Sequence, residues 1–147
     1  NLTQSRLNTP DTADFRGDMV PGAAMDDAPM QEEGQQFWLL DRMGRQFTAL
    51  VYVIDPAALD ATFARNCKAL ASVEIAVEVI LVSPNPGPAP EGLRVFVDQA
   101  GRFAERFDAA DGTVYLMRPD QHIAARWRTF DANSITAALA RATCNVH

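Results

Sequence analysis

Cysteine and histidine are both scarce, with two of each in 147 residues. Cys67 and Cys144 are too few for a disulfide framework or a zinc site, so a reducing, cytoplasmic setting is the expectation. His122 and the C-terminal His147 leave a histidine-based metal site short of ligands. No G-x-G-x-x-G follows a strand and no G-x-x-x-x-G-K-[ST] occurs, which removes the usual dinucleotide and P-loop phosphate cradles. Positive charge is in deficit: 13 Lys and Arg against 19 Asp and Glu give a net charge of −6. That balance argues against nucleic acid or an anionic membrane as partner, because both require clustered cations. Long apolar runs are missing too. The richest stretches, 47–54 and 73–82, are far too short to span a bilayer, and no charged-then-apolar secretory signal opens the chain.

What is present suits one domain. The chain is 48% hydrophobic, and its length supports a single real core. It starts at Asn1 without an initiator Met, so a fragment of a longer protein is expected. Residues 1–35 carry Pro10, Pro21, Pro29, Gly17, Gly22 and Gly34 among many polar residues, with no sustained apolar period. They are expected to be an extended arm from a preceding domain, ordered where Leu7, Phe15 or Met19 docks.

Residues 36–147 carry the periodic signal. "FWLL", "DRMG" and "RQFTALVYVI" predict a short strand, a turn and a long strand. In 47–54 only Thr48 is polar, which predicts a strand covered on both faces. Asp55 is a good N-cap with Pro56 at the first helical position, and Leu59, Phe63, Cys67 and Leu70 then share one face. In 73–82, Val73, Ile75, Val77 and Val79 alternate with Glu74 and Glu78, as in a strand nearer an edge. "SPNPGPAPEG" is a loop, "LRVFVD" a short extended piece, and "QAGRFAERFD" a helix with Ala100, Phe103, Ala104 and Phe107 on one side. "TVYLM", the turn Arg118-Pro119-Asp120-Gln121 and "HIAARWR" predict a hairpin. Its return strand sends Ile123, Ala125 and Trp127 one way and His122, Ala124, Arg126 and Arg128 the other, towards water. Asp131 caps a last helix that buries Ile135, Ala138, Leu139 and Ala142.

The order β-α-β-α-β-β-α, behind a small hairpin strand, predicts an α/β fold. A β-α-β unit requires a parallel pair, and a tight hairpin an antiparallel one. With the most apolar strand central and the charge-bearing strands outermost, the expectation is a four-stranded mixed core sheet of order 2-1-3-4 flanked by helices. That arrangement is thioredoxin-like.

Thioredoxin chemistry needs Cys-x-x-Cys where the first core strand meets the first helix, because the helix N-terminus lowers a thiol pKa. Here "IDPAALDATF" stands there, and Cys67 comes about three turns too late. Gly112-Thr113 occupies the place of the redox fold's second signature, a cis-proline before the third strand. Dithiol and peroxidase activity are therefore not expected. Cys67 is better explained as a core-face residue and Cys144 as a helix-end residue. His122 with Asp120 could form an acid–base pair, but no nucleophile stands beside them and a hairpin role fits better. Glu74 and Glu78 are better explained as a solvated strand face than as paired catalytic carboxylates. Trp38 and Trp127 could mark a pocket or a subunit contact, with core or semi-buried packing the preferred explanation for each. No catalytic, cofactor-binding or metal-ligating residue is assigned.

"YLMRPDQHIAARWR", followed by a short Ala-rich helix, resembles the C-terminal segment of FAD-dependent aromatic-ring hydroxylases of the phenol hydroxylase and 3-(3-hydroxyphenyl)propionate hydroxylase type. The resemblance rests on Arg118-Pro119-Asp120 with Arg126-Trp127, and more weakly on "PGAAMDDAPM" and "WLLDRMGRQFTALVY"; it covers residues 21–143. It implies a cysteine-free thioredoxin-like domain in the C-terminal position of a flavoprotein monooxygenase. FAD, NAD(P)H and substrate would be handled by preceding domains whose motifs this chain does not contain. The implied partners are those FAD and substrate domains, with a homodimer among the implied assemblies, and the implied role is accessory. Ion pairing by Arg118–Asp120 or by Arg126 would brace the hairpin. The competing expectation is a stand-alone, redox-inactive thioredoxin-like module that binds a protein through a sheet edge or through Trp38 and Trp127.

Overall fold

A computed structural model describes residues 7–71, 75–90 and 92–143. Seven strands form one sheet: β1 Pro29–Glu32, β2 Gln35–Trp38, β3 Phe47–Tyr52, β4 Val77–Ser83, β5 Arg94–Val97, β6 Val114–Met117 and β7 Ile123–Trp127. Three α-helices accompany them: α1 Ala61–Ala71, α2 Arg102–Arg106 and α3 Ala132–Ala142. The spatial order is β2-β1-β5-β4-β3-β6-β7. β3 pairs in parallel with β4, and β4 with β5, while β3–β6 and β6–β7 are antiparallel.

The four-stranded sheet expected from the sequence is thereby corrected to seven strands. The order 4-3-6-7 lies inside the longer sheet, but β4 is central, not an edge. Its apolar residues fill both faces: Val77, Val79 and Leu81 on one, Ile80 and Val82 on the other. Three short strands extend the sheet beyond it. β5 was legible only as an extended piece because its apolar run, Val95-Phe96-Val97, is three residues long. β1 falls within the residues read as an arm, and β2 pairs with β1 rather than with the long strand. The β1–β2 turn is Glu33-Gly34, with φ of 50° and 83°. A two-residue hairpin of this hand needs positive φ at both positions, and Glu supplies no signal for that. "FWLL" is likewise not all strand, since Leu39–Arg42 form a 3-10 turn.

Period-two alternation divides the core. Phe47, Ala49, Val51 and Val53 face α1 and α3, packing on Cys67, Leu70, Ile135 and Leu139. Leu50 and Tyr52 face α2, packing among Phe96, Phe103, Phe107 and Tyr115. The first helix starts later than its Pro suggested. Asp55 and Pro56 open a 3-10 turn, Pro56–Ala58, and the Asp60 carboxylate caps α1 by accepting from Phe63 N–H at 2.9 Å.

β7 departs from simple alternation. The register slips between Leu116 and Met117, so Leu116 faces Ala125 while Met117 faces Ile123. The extra residue turns Ile123 onto the α2 side, away from Ala125 and Trp127. The expected wet face of this strand is also absent: every residue of β7 is buried, Arg126 included. Residues 9–25 cover it. Thr9 N–H donates to Ala124 O, Gly22 N–H to Ile123 O, and Ile123 N–H to Ala23 O.

Candidate functional site

In a thioredoxin-like fold, chemistry belongs where β3 runs into the first helix. Here the backbone is pinned. Ile54 N–H donates to Asp111 Oδ1 at 2.9 Å, and Ile54 O accepts from Ser83 Oγ at 3.3 Å and Asn85 Nδ2 at 3.1 Å. Asp55 Oδ1 accepts from Ala57 N–H at 3.2 Å, so a carboxylate occupies the turn where a thiolate would gain. Opposite, Gly112 N–H donates to Tyr52 O and Tyr52 N–H to Thr113 O. The side chains at the turn are Asp55, Pro56, Ala57 and Ala58, and none of them is a nucleophile suited to thiol chemistry.

Cys67 lies on the core face of α1, 4% exposed. Burial pushes its thiol pKa up to about 12. A thiol that stays protonated near neutrality is a poor nucleophile, so its role is packing. Cys144, His147 and Glu74 lie outside the described residues. Glu78 is bound locally, 3.0 Å from Gln46 Nε2 and 3.5 Å from Arg94 Nη1. Among the described residues no group of three or more His, Cys, Asp or Glu is placed to hold a metal, and no helix is long and apolar enough to cross a membrane.

The His122–Asp120 pair proves to be hairpin architecture. Asp120 Oδ1 accepts from His122 N–H at 3.2 Å, and Arg118 Nη2 lies 2.7 Å from Asp120 Oδ2. Arg118 therefore braces the turn. Arg126 does not. It reaches back to Asp11, with Nε to Oδ1 at 3.0 Å and Nη2 to Oδ2 at 2.7 Å.

Around Arg126 the structure assembles a group that sequence reasoning missed. The guanidiniums of Arg126 and Arg128 lie 4.3 Å and 3.8 Å from the Phe15 ring centre. Phe15 meets Tyr115 edge-on at 6.0 Å. Arg128 Nη2 pairs with Asp108 Oδ2 at 2.7 Å, and Arg16 N–H donates to the same oxygen at 2.8 Å. The sequence signals were Phe15 as a docking residue of the arm and two arginines on one face of a strand, a face that needs an acidic or aromatic cover once it is buried.

The two tryptophans separate. Trp127 is 8% exposed and belongs to the core, whereas Trp38 is 52% exposed. Trp38 is therefore not packed as expected. It stands on β2, at the open end of the sheet, beside a groove of about 400 Å3 formed with Met30, Phe37 and Gln99.

Neither the turn after β3 nor the segment after β4 is a ready pyrophosphate cradle. After β3 the Ala57 N–H is taken by Asp55 Oδ1, and the segment after β4 is Pro84-Asn85-Pro86 rather than a glycine turn.

These features define a thioredoxin-like α/β domain without the redox residues. The chain belongs to the HcaD C-terminal domain family, whose model matches residues 26–142. It is similar to the flavin-dependent monooxygenase PieE, solved with FAD and substrate, at 22% identity and TM-score 0.71, over 97% of this chain and 25% of that one. Aklavinone-11 hydroxylase, solved with FAD and aklavinone, matches at 19% identity and TM-score 0.68, over 95% of this chain and 25% of that one. The chain thus spans a quarter of each monooxygenase. The bacterioferritin comigratory protein of Xanthomonas campestris, studied for alkyl peroxide reduction, shares the fold at 13% identity and TM-score 0.61, over 92% of this chain and 100% of that one. No curated protein matches the chain.

Proposed function

We propose that this chain is the C-terminal accessory domain of an FAD-dependent aromatic-ring monooxygenase and performs no chemistry by itself. It packs against the FAD and substrate domains of the parent oxidoreductase, stabilising their fold and aiding subunit association. FAD and NAD(P)H serve the parent enzyme and are bound outside these residues.

One observation carries the reading. Nearly the whole chain, 97%, superposes on a quarter of a monooxygenase, and the helix start where a thioredoxin keeps sulfur is here Asp55-Pro56-Ala57. Such a scaffold offers packing surface with no thiol at that helix start. The reading is tested by the coding frame upstream of Asn1. A Rossmann glycine motif following a strand there supports it, and a start codon close to Asn1 contradicts it.

The half-exposed Trp38 on the open β2 edge favours a second reading, a stand-alone module that binds a protein partner. The same upstream frame separates the two.

A further inference from the structure

The Arg126–Arg128 face of β7 is built like a receptor for a peptide. Tyr115 lies beneath it, its two cations Arg126 and Arg128 stand side by side, and Asp108, paired with Arg128, closes one end. What fills it is residues 9–16 of the same chain. Asp11 bridges Arg126 through both carboxylate oxygens, Phe15 lies against both guanidiniums, and Asp14 O accepts from Arg128 Nη2 at 3.2 Å.

We propose that this face is a docking groove for an extended segment carrying an aspartate four positions before an aromatic residue, and that residues 9–16 occupy it in cis as a releasable clip. Three observations set the clip apart from the body. First, it contains neither helix nor strand, and one backbone bond, Thr9 N–H to Ala124 O at 3.1 Å, ties it to β7. Second, Gly17 follows at φ of 81°, and the nearest atom a Cβ would meet there is Arg106 O at 3.9 Å. Beyond that glycine, Met19 and Met25 are buried in the α2-side core and hold the chain in place. A natural hinge therefore separates the anchored part from the clip. Third, the fit is incomplete. Asp11 takes Nε and Nη2 of Arg126 but the clip offers no acceptor to the buried Nη1, and Thr9 Oγ1 is itself buried without a hydrogen-bond partner. A cation so buried demands a carboxylate opposite it, which selects an acidic segment. A buried donor left unpaired weakens the clip's hold on the face.

The groove does not depend on the monooxygenase reading, because every residue that forms it lies in this chain. Its test uses the full chain and a synthetic peptide of residues 7–18. The peptide is expected to bind the variant Asp11→Ala/Phe15→Ala saturably, and the wild-type chain not at all, because its groove is full. Failure to bind the variant overturns the proposal, as does equal binding of a peptide with both residues changed to alanine. Asp11→Asn, a milder change, provides the second measurement. Amide exchange at Thr9 and Arg16 should accelerate roughly 10- to 100-fold and stay far faster than at Leu50 and Leu81, whose exchange requires global unfolding. Unchanged exchange, or protection at Thr9 and Arg16 as high as at Leu50, means the segment is an integral part of the core, and overturns the releasable clip.

Discussion

Asp11 and Arg126, 115 residues apart, meet through a bidentate carboxylate–guanidinium contact with Nη2–Oδ2 at 2.7 Å. The side chains are 28% and 3% exposed, so the cation is the buried partner. Removing the carboxylate leaves that cation desolvated. Asp11→Ala is expected to lower stability by about 2–3 kcal/mol in urea unfolding, well beyond an ordinary surface pair. A loss below about 0.5 kcal/mol would show that water replaces the aspartate freely.

The tryptophans are expected to respond very differently. Trp127 fills the α1–α3 side of the core, and Trp127→Ala should cost about 3–4 kcal/mol through the cavity it leaves. Trp38 stands half-exposed, and Trp38→Ala should cost below about 1 kcal/mol. Equal losses in denaturant titrations would contradict the placement of one of them.

Gly112 has φ of 94°, and a Cβ there would lie 3.1 Å from Arg128 O. Gly34, at φ of 83°, has nothing within 4 Å. Both alanine variants carry the left-handed backbone penalty of about 1–2 kcal/mol. Gly112→Ala must also push against a backbone carbonyl, so its melting temperature should fall further than that of Gly34→Ala. The reverse order would contradict the close approach of β6 and β7 at this turn.

Acid should weaken the ion pairs at both ends of the sheet. The Arg94 hydrogen bond, joined by Arg42, holds the Glu32 carboxyl below its ordinary range against the effect of burial. The Arg16 N–H, joined by Arg128, does the same for Asp108. A depressed carboxylate pKa adds stability above the unfolded value, and that stability is lost as pH falls through the folded value. Stability should therefore decline below about pH 4.5 for Glu32 and about pH 4 for Asp108. Glu32→Gln should flatten the upper part of that decline in pH-dependent unfolding. An unchanged profile would remove Glu32 from the account.

The long strands and the helices were legible because their periods are sustained. Residues 47–54 could hardly be anything but a buried strand, and Asp131 and the Ile135–Leu139 face specified α3, which the structure places at Ala132–Ala142. The misses share a cause. β1 was missed, while β2 and β5 were read only in part, as the short strand "FWLL" and as an extended piece; each is four residues long and is defined by its neighbours in the sheet. The slip in β7 left no trace because Ala124 and Ala125 fit either face. The thiol-free helix start was visible at once, since a missing Cys-x-x-Cys is a local pattern. Phe15 was expected to dock, but its partners and the Asp11–Arg126 contact were invisible, because they join residues about a hundred positions apart.

The central claim is that this thioredoxin-like body works without sulfur chemistry, and peroxide consumption by the purified chain in the presence of excess dithiol tests it most directly. With Cys67 buried and its thiol pKa raised to about 12, the rate should equal that of the buffer alone. Sustained turnover above that rate, abolished in Cys67→Ser or Cys144→Ser, would contradict it.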